Sequence, residues 1–88
     1  MSVSSKLAMP ADYALVLQQV DESGEEDFGN LAESLSLDRK RLSHIVHALQ
    51  HKGLVRVSMV QRDVWISLSA RGRRLVATIW PESMPSYA

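Results

Sequence analysis

The period of the hydrophobic pattern switches along this 88-residue chain, from helical spacing to strict alternation and back, and few folds accommodate that order. Tyr13, Val16, Leu17 and Val20 recur at helical spacing between Pro10 and about Glu22. Pro10 suits a first helical turn, where its missing N–H costs nothing, and Ser23-Gly24 ends the segment. A second, shorter helix fits Asp27 to Leu35, with Phe28, Leu31, Ala32 and Leu35 apolar. The acidic run Glu25-Glu26-Asp27 stands at its start, where the helix dipole favours negative charge. Ser36-Leu37 makes a brief turn, and Asp38 is a good N-cap for a third helix, 39–52. That helix carries a narrow apolar stripe of Leu42, Ile45, Val46 and Leu49, with Gly53 as its C-cap.

After Gly53 the period becomes two. Residues 54–59 alternate, as do Val64-Trp65-Ile66-Ser67-Leu68, and the polar connection Val60-Gln61-Arg62-Asp63 predicts a β-hairpin. One of Trp65 and Ile66 must point away from the core. Ser69 can cap a last helix running to about Trp80, with Leu75, Val76, Ile79 and Trp80 apolar. The expected fold class is α+β, mainly α: a three-helix bundle with a β-hairpin wing and a C-terminal helix, which is the layout of a winged helix. Residues 1–9 read as a flexible N-terminal tail, 10–80 as the single domain, and 81–88, interrupted by Pro81 and Pro85, as a C-terminal tail.

Composition narrows the function. Cysteine is absent, which removes disulfides, thiolate nucleophiles and cysteine-based zinc sites. No apolar stretch approaches the roughly 18 residues of a membrane span, and no secretory h-region follows the N-terminus, so a cytoplasmic location is the expectation. The formal net charge is zero, but it is unevenly spread. Residues 1–34 carry one lysine against seven acids, whereas residues 35–88 carry nine Lys or Arg against three. The two halves can attract each other, or the basic half can face phosphates, since charges are screened beyond roughly 8–10 Å.

The third helix bears the candidate chemistry. Off its apolar stripe lie Arg39, Lys40, Ser43, His44, His47, Gln50 and His51, and Arg39, Lys40 and Arg41 crowd its first turn. Three cations at the positive end of a helix dipole are unfavourable for the helix itself, which points to an anionic partner. The alternative is a solvated basic turn softened by Asp38. His44, His47 and His51 fall on one helical face, a spacing that can bind a transition metal, but no acid joins them and no metal is expected. Nothing supports catalysis: there is no glycine-rich phosphate loop, and Ser43 beside His44 is a neighbour pair rather than a nucleophile facing its base.

Asn30-Leu31-Ala32-Glu33-Ser34-Leu35-Ser36-Leu37-Asp38, followed by Lys52-Gly53-Leu54-Val55 and Leu68-Ser69-Ala70-Arg71-Gly72, resembles a MarR-type winged helix-turn-helix. The resemblance spans residues 11–80. It implies DNA binding by the third helix, with Arg39, Lys40, Ser43, His44 and His47 in groove-facing positions and Arg62 near the wing tip. Two features depart from the family pattern: the flanking segments are shorter than its dimer-forming helices, and the wing holds a single basic residue at its tip.

The expected function is sequence-specific binding of double-stranded DNA by a small, non-enzymatic transcriptional regulator that needs no cofactor. Arg39, Lys40, Arg41, Ser43, His44, His47 and Arg62 are the candidate contacts. Apolar residues on both sides of the last helix could instead form a homodimer contact, and two copies would suit paired half-sites. The rival reading is a winged helix that serves protein–protein interaction within a larger assembly. The sequence names no small-molecule effector.

Overall fold

The computed structural model describes residues 9–79, in the order α1 (Ala11–Ser23), β1 (Glu25–Asp27), α2 (Phe28–Leu35), α3 (Arg39–His51), β2 (Val55–Val60), β3 (Asp63–Leu68) and α4 (Ala70–Ile79). Residues 1–8 of the expected N-terminal tail, Trp80 and the expected tail 81–88 lie outside the described residues. Met9, read as part of the tail, packs against the core.

Every helix turns its apolar stripe to a common centre. Leu17 of α1, Leu31 of α2, and Leu42, Ile45 and Leu49 of α3 are fully buried, together with Ile66 of β3. No polar or charged side chain is buried among the described residues. The centre is therefore held by apolar burial, at about 1.5–3 kcal/mol for each large side chain removed from water. No described helix is long and apolar enough to cross a membrane.

The expectation for Glu25-Glu26-Asp27 needs correction. These residues do not open the second helix; they form a short edge strand antiparallel to β3, with Glu25 opposite Ser67, Glu26 opposite Ile66 and Asp27 opposite Trp65. The sheet thus has three strands in the order β1-β3-β2, where a two-stranded hairpin was expected. Acidic residues are poor strand formers, so the pairing comes from the free edge that β3 offers. Asp27 still serves α2, from just outside it: its carboxylate accepts the Asn30 N–H at 2.7 Å.

The wing is tighter than the four-residue connection expected. Val60 pairs with Asp63, leaving Gln61 and Arg62 as a two-residue tip, with Gln61 at φ 59. Within β3, Ile66 is the residue that faces inward, and Trp65 is half-buried on the other face between Asp27 and Ser58.

Two helices end in the same way. The Leu54 N–H reaches the Leu49 carbonyl at 3.0 Å and the Gly53 N–H reaches Gln50 at 2.9 Å, the pair of bonds that closes a helix around a left-handed residue. Gly53 fills that place on α3 at φ 76. On α2 the corresponding bonds run from Leu37 to Ala32 and from Ser36 to Glu33, and the left-handed residue is Ser36 at φ 55. A Cβ in this region costs on the order of 1 kcal/mol. Ser36→Gly is therefore expected to stabilise the domain by roughly 0.5 kcal/mol after the added freedom of the unfolded chain is counted. A urea midpoint that moves downward instead would show the serine to be making a contribution of its own.

Candidate nucleic-acid interface

Helix α3 is built to show one side to the core and the other to solvent. Asp38 begins it by accepting the Arg41 N–H at 2.7 Å, which satisfies an orphan donor and places a carboxylate against the positive dipole end. With Leu42, Ile45, Val46 and Leu49 held inside, Arg39, Lys40, Arg41, Ser43, His44, His47, Gln50 and His51 are all exposed.

The exposed residues divide between two flanks. Arg39, Ser43, His47 and Gln50 line a cleft of about 350 Å³ between α3 and the sheet, together with Phe28, Val57 and Val64. Lys40, Arg41 and His44 line a shallow depression with Asp38 on the opposite flank. His44 and His47, read as sharing one face, thus border different clefts. No group of His, Asp or Glu among the described residues is arranged to hold a metal ion.

The three cations of the first turn have different surroundings. The Arg41 guanidinium reaches across to α1, donating from Nε at 3.0 Å and from Nη2 at 2.7 Å to Oδ2 of Asp12. It also lies 5.9 Å from the centre of the Tyr13 ring. The hydrogen bond to Asp12 raises the arginine's pKa above its already high ordinary value. Arg39 lies 5.3 Å from the centre of the Phe28 ring, a cation–π contact that leaves its charge exposed. Arg41–Asp12 is the one ion pair among the described residues, so Lys40 has none.

Tertiary folding brings Arg62 beside Arg39. Both line a narrow cleft of about 210 Å³ with Asp27, Phe28, Gly29, Asp63 and Val64, where the wing tip meets the start of α2. Of the seven candidate contacts, Arg39, Ser43, His47 and Arg62 therefore border connected clefts on the wing side. Lys40 and His44 stand on the other flank, and Arg41 is engaged by Asp12. Sequence reasoning missed two positioning residues, Phe28 under Arg39 and Asp12 on Arg41. Phe28 was readable only as core, and Asp12 lies 29 residues from its partner, too far for any periodic signal.

No protein-family model matches the chain, and no curated protein matches it. Solved structures do. NadR in complex with 4-hydroxyphenylacetate is similar with a TM-score of 0.85 at 26% identity, covering 97% of this chain and 62% of that one. AbsC, a MarR family transcriptional regulator from Streptomyces coelicolor, gives 0.83 at 19% identity, covering 92% and 58%. A mutant MarR from E. coli gives 0.82 at 22% identity, covering 88% and 59%. This chain spans less than two thirds of each of these proteins, between 58% and 62% of their lengths. In fold, it is a MarR-type winged helix-turn-helix domain.

Proposed function

We propose that the chain binds double-stranded DNA sequence-specifically as a small transcriptional regulator, with α3 in the major groove and the wing alongside the backbone. The observation that carries this reading is the wing-side row of Arg39, Ser43, His47 and Gln50, continued by Arg62 from the wing tip. A major groove about 12 Å wide admits one helix, and an exposed helix face with arginine at its start and short polar side chains along it suits phosphate positioning and base-edge hydrogen bonding. The similarity to NadR and to AbsC supports the same reading. The reading involves no catalysis and no cofactor, and it places the protein in the cytoplasm with the DNA.

One observation favours a second reading. Met59 and Val60 near the wing tip are 67% and 53% exposed, and apolar side chains there suit a protein surface better than phosphates. Fluorescence anisotropy with mixed-sequence duplexes at low and moderate salt decides between the two. Binding that weakens steeply as salt rises, followed by enrichment of particular duplexes on selection, is the expected result. Absence of binding at low salt would reject the regulator reading and leave the wing as a protein contact.

A further inference from the structure

On the strength of the DNA-binding reading, we propose that Phe28 and Gly29, without themselves meeting DNA, decide how selectively α3 binds it. They do so by fixing the Arg39 guanidinium at the wing-side margin of the helix. Arg39 opens α3 with a long, exposed side chain. A free arginine samples many rotamers, and ordering it on a partner carries an entropic cost. Here the guanidinium carbon lies 5.3 Å from the centre of the Phe28 ring. Its Nη1 lies 3.7 Å from the place a Cβ on Gly29 would take. The side chain is thus laid back from α3 onto the first two residues of α2, where it shares a cleft with Arg62 of the wing tip.

The platform under Arg39 is tied down. The Phe28 ring is half-buried and packs against the hydrophobic core. Asp27, the residue before it, pairs with Trp65 of β3 and caps α2 by accepting the Asn30 N–H at 2.7 Å. Strand β1 therefore fastens the ring to the sheet that carries the wing, and the position of Arg39 relative to the wing follows. Glycine at position 29 is not a backbone necessity. Its φ is not left-handed, and a methyl group there would make only ordinary contacts, with Arg39 Nη1 and, at 3.8 Å, with Asp27 Oδ1. A side chain larger than alanine would instead compete with the Arg39 guanidinium for the same space.

A guanidinium held at the margin of the helix suits a backbone phosphate, while Ser43, His47 and Gln50 line the open side of α3 and suit base edges. Phosphate contacts carry no sequence information directly, but they set the register in which the helix lies. A mobile arginine serves mixed-sequence DNA nearly as well as a fixed one, because that attraction follows charge alone. On a preferred duplex α3 must keep one register, and there a fixed arginine counts. Two observables therefore separate. Removing the ring lowers selectivity and keeps the salt slope, whereas removing the charge lowers both.

The platform itself is tested without DNA. In nitrogen relaxation measurements on the full chain, the Nε–H order parameter of Arg39 is expected to fall in Phe28→Leu and to hold in Phe28→Tyr, which keeps the ring. Equal values in wild type and Phe28→Leu would overturn the proposal. Its consequence is read by fluorescence anisotropy, as the ratio of affinities for a duplex enriched by selection and for a mixed-sequence duplex. An exposed cation–π contact corresponds to about 2- to 5-fold. Phe28→Leu should cut the ratio by about that factor at the wild-type salt slope, and Phe28→Tyr should restore it. In an Arg39→Ala background Phe28→Leu should change the ratio no further, a coupling that general loosening of the fold would not produce. Unchanged melting curves show that the variants are folded. If Phe28→Leu melts early, Gly29→Leu takes its place, with Gly29→Ala expected to keep the wild-type ratio. Selective wild-type binding with an unchanged ratio in Phe28→Leu, or an equal loss in both backgrounds, would overturn the proposal and leave the DNA-binding reading intact. Absence of wild-type binding would reject both.

Discussion

Gly72→Ala is expected to destabilise the domain by about 3 kcal/mol or more, the upper end of the range for forced overpacking. Gly72 is buried on α4, and a Cβ built there runs into the Leu54 carbonyl oxygen. That oxygen cannot step aside. The Leu54 N–H closes α3 through Leu49 at 3.0 Å, and the Leu54 carbonyl accepts the Ser69 N–H at 3.0 Å. Ser69 tightens the same joint, donating its hydroxyl to the Gly53 carbonyl at 2.7 Å and accepting the Gly72 N–H at 3.0 Å. Relief therefore requires α4 to move off the end of α3, which breaks these bonds and uncovers Val76 and Leu68. For a domain whose whole stability lies in the range of about 5–15 kcal/mol, such a loss should lower Tm by roughly 12 °C or more. Thermal melts followed by circular dichroism measure it, and a melt matching wild type would mean that α4 sits farther from Leu54 than the structure places it.

The second large effect concerns the first turn of α3. Arg39→Ala/Lys40→Ala is expected to weaken duplex binding roughly 10- to 100-fold at moderate salt and to reduce the salt slope by about 2, one for each phosphate contact removed. Arg41→Ala is the informative control. Its guanidinium is engaged by Asp12 on α1 rather than free for phosphate, so its loss should loosen the anchoring of α3 against α1 while leaving the slope close to that of wild type. The distinction separates a cation that meets DNA from one that positions the helix carrying it. Equal slopes for wild type and the Arg39/Lys40 variant, with both folded, would remove these residues from the interface.

Much of the fold was legible because its signals are local. The stripe Leu42, Ile45, Val46 and Leu49 repeats within one helix, and each of the four is buried where its spacing placed it. Asp38 and Gly53 mark the two ends of α3 through bonds to residues three to five positions away. Alternation over 54–59 and 64–68 identified the hairpin for the same reason. The motifs Lys52-Gly53-Leu54-Val55 and Leu68-Ser69-Ala70-Arg71-Gly72 belong to the joint where α3, β2 and α4 meet, and Gly72 is held there by a backbone oxygen 18 residues earlier in the chain.

The features that misled or escaped the sequence reading are those settled by distant partners. Strand β1 is only three residues long, too short to show alternation, and it becomes a strand because Ser67, Ile66 and Trp65 present an open edge some 40 residues later. Both Trp65 and Ile66 are apolar, so periodicity could state that they face opposite ways but not which one faces the core; the helices packed against the sheet select Ile66. The first turn of α3 reads as three equivalent cations. Their separation into one over Phe28, one exposed without an ion pair and one tied to Asp12 comes from the packing of α1 and α2 around that turn.

By itself, then, the sequence determined the helices, their ends, the hairpin and the exposed polar row of α3, because hydrophobic spacing and capping act within a few residues. Only the tertiary structure decided the third strand, the company of Arg39 and Arg62 in one cleft and the withdrawal of Arg41, because ion pairs and strand edges depend on distance in space, and nothing in the linear order of residues encodes that directly.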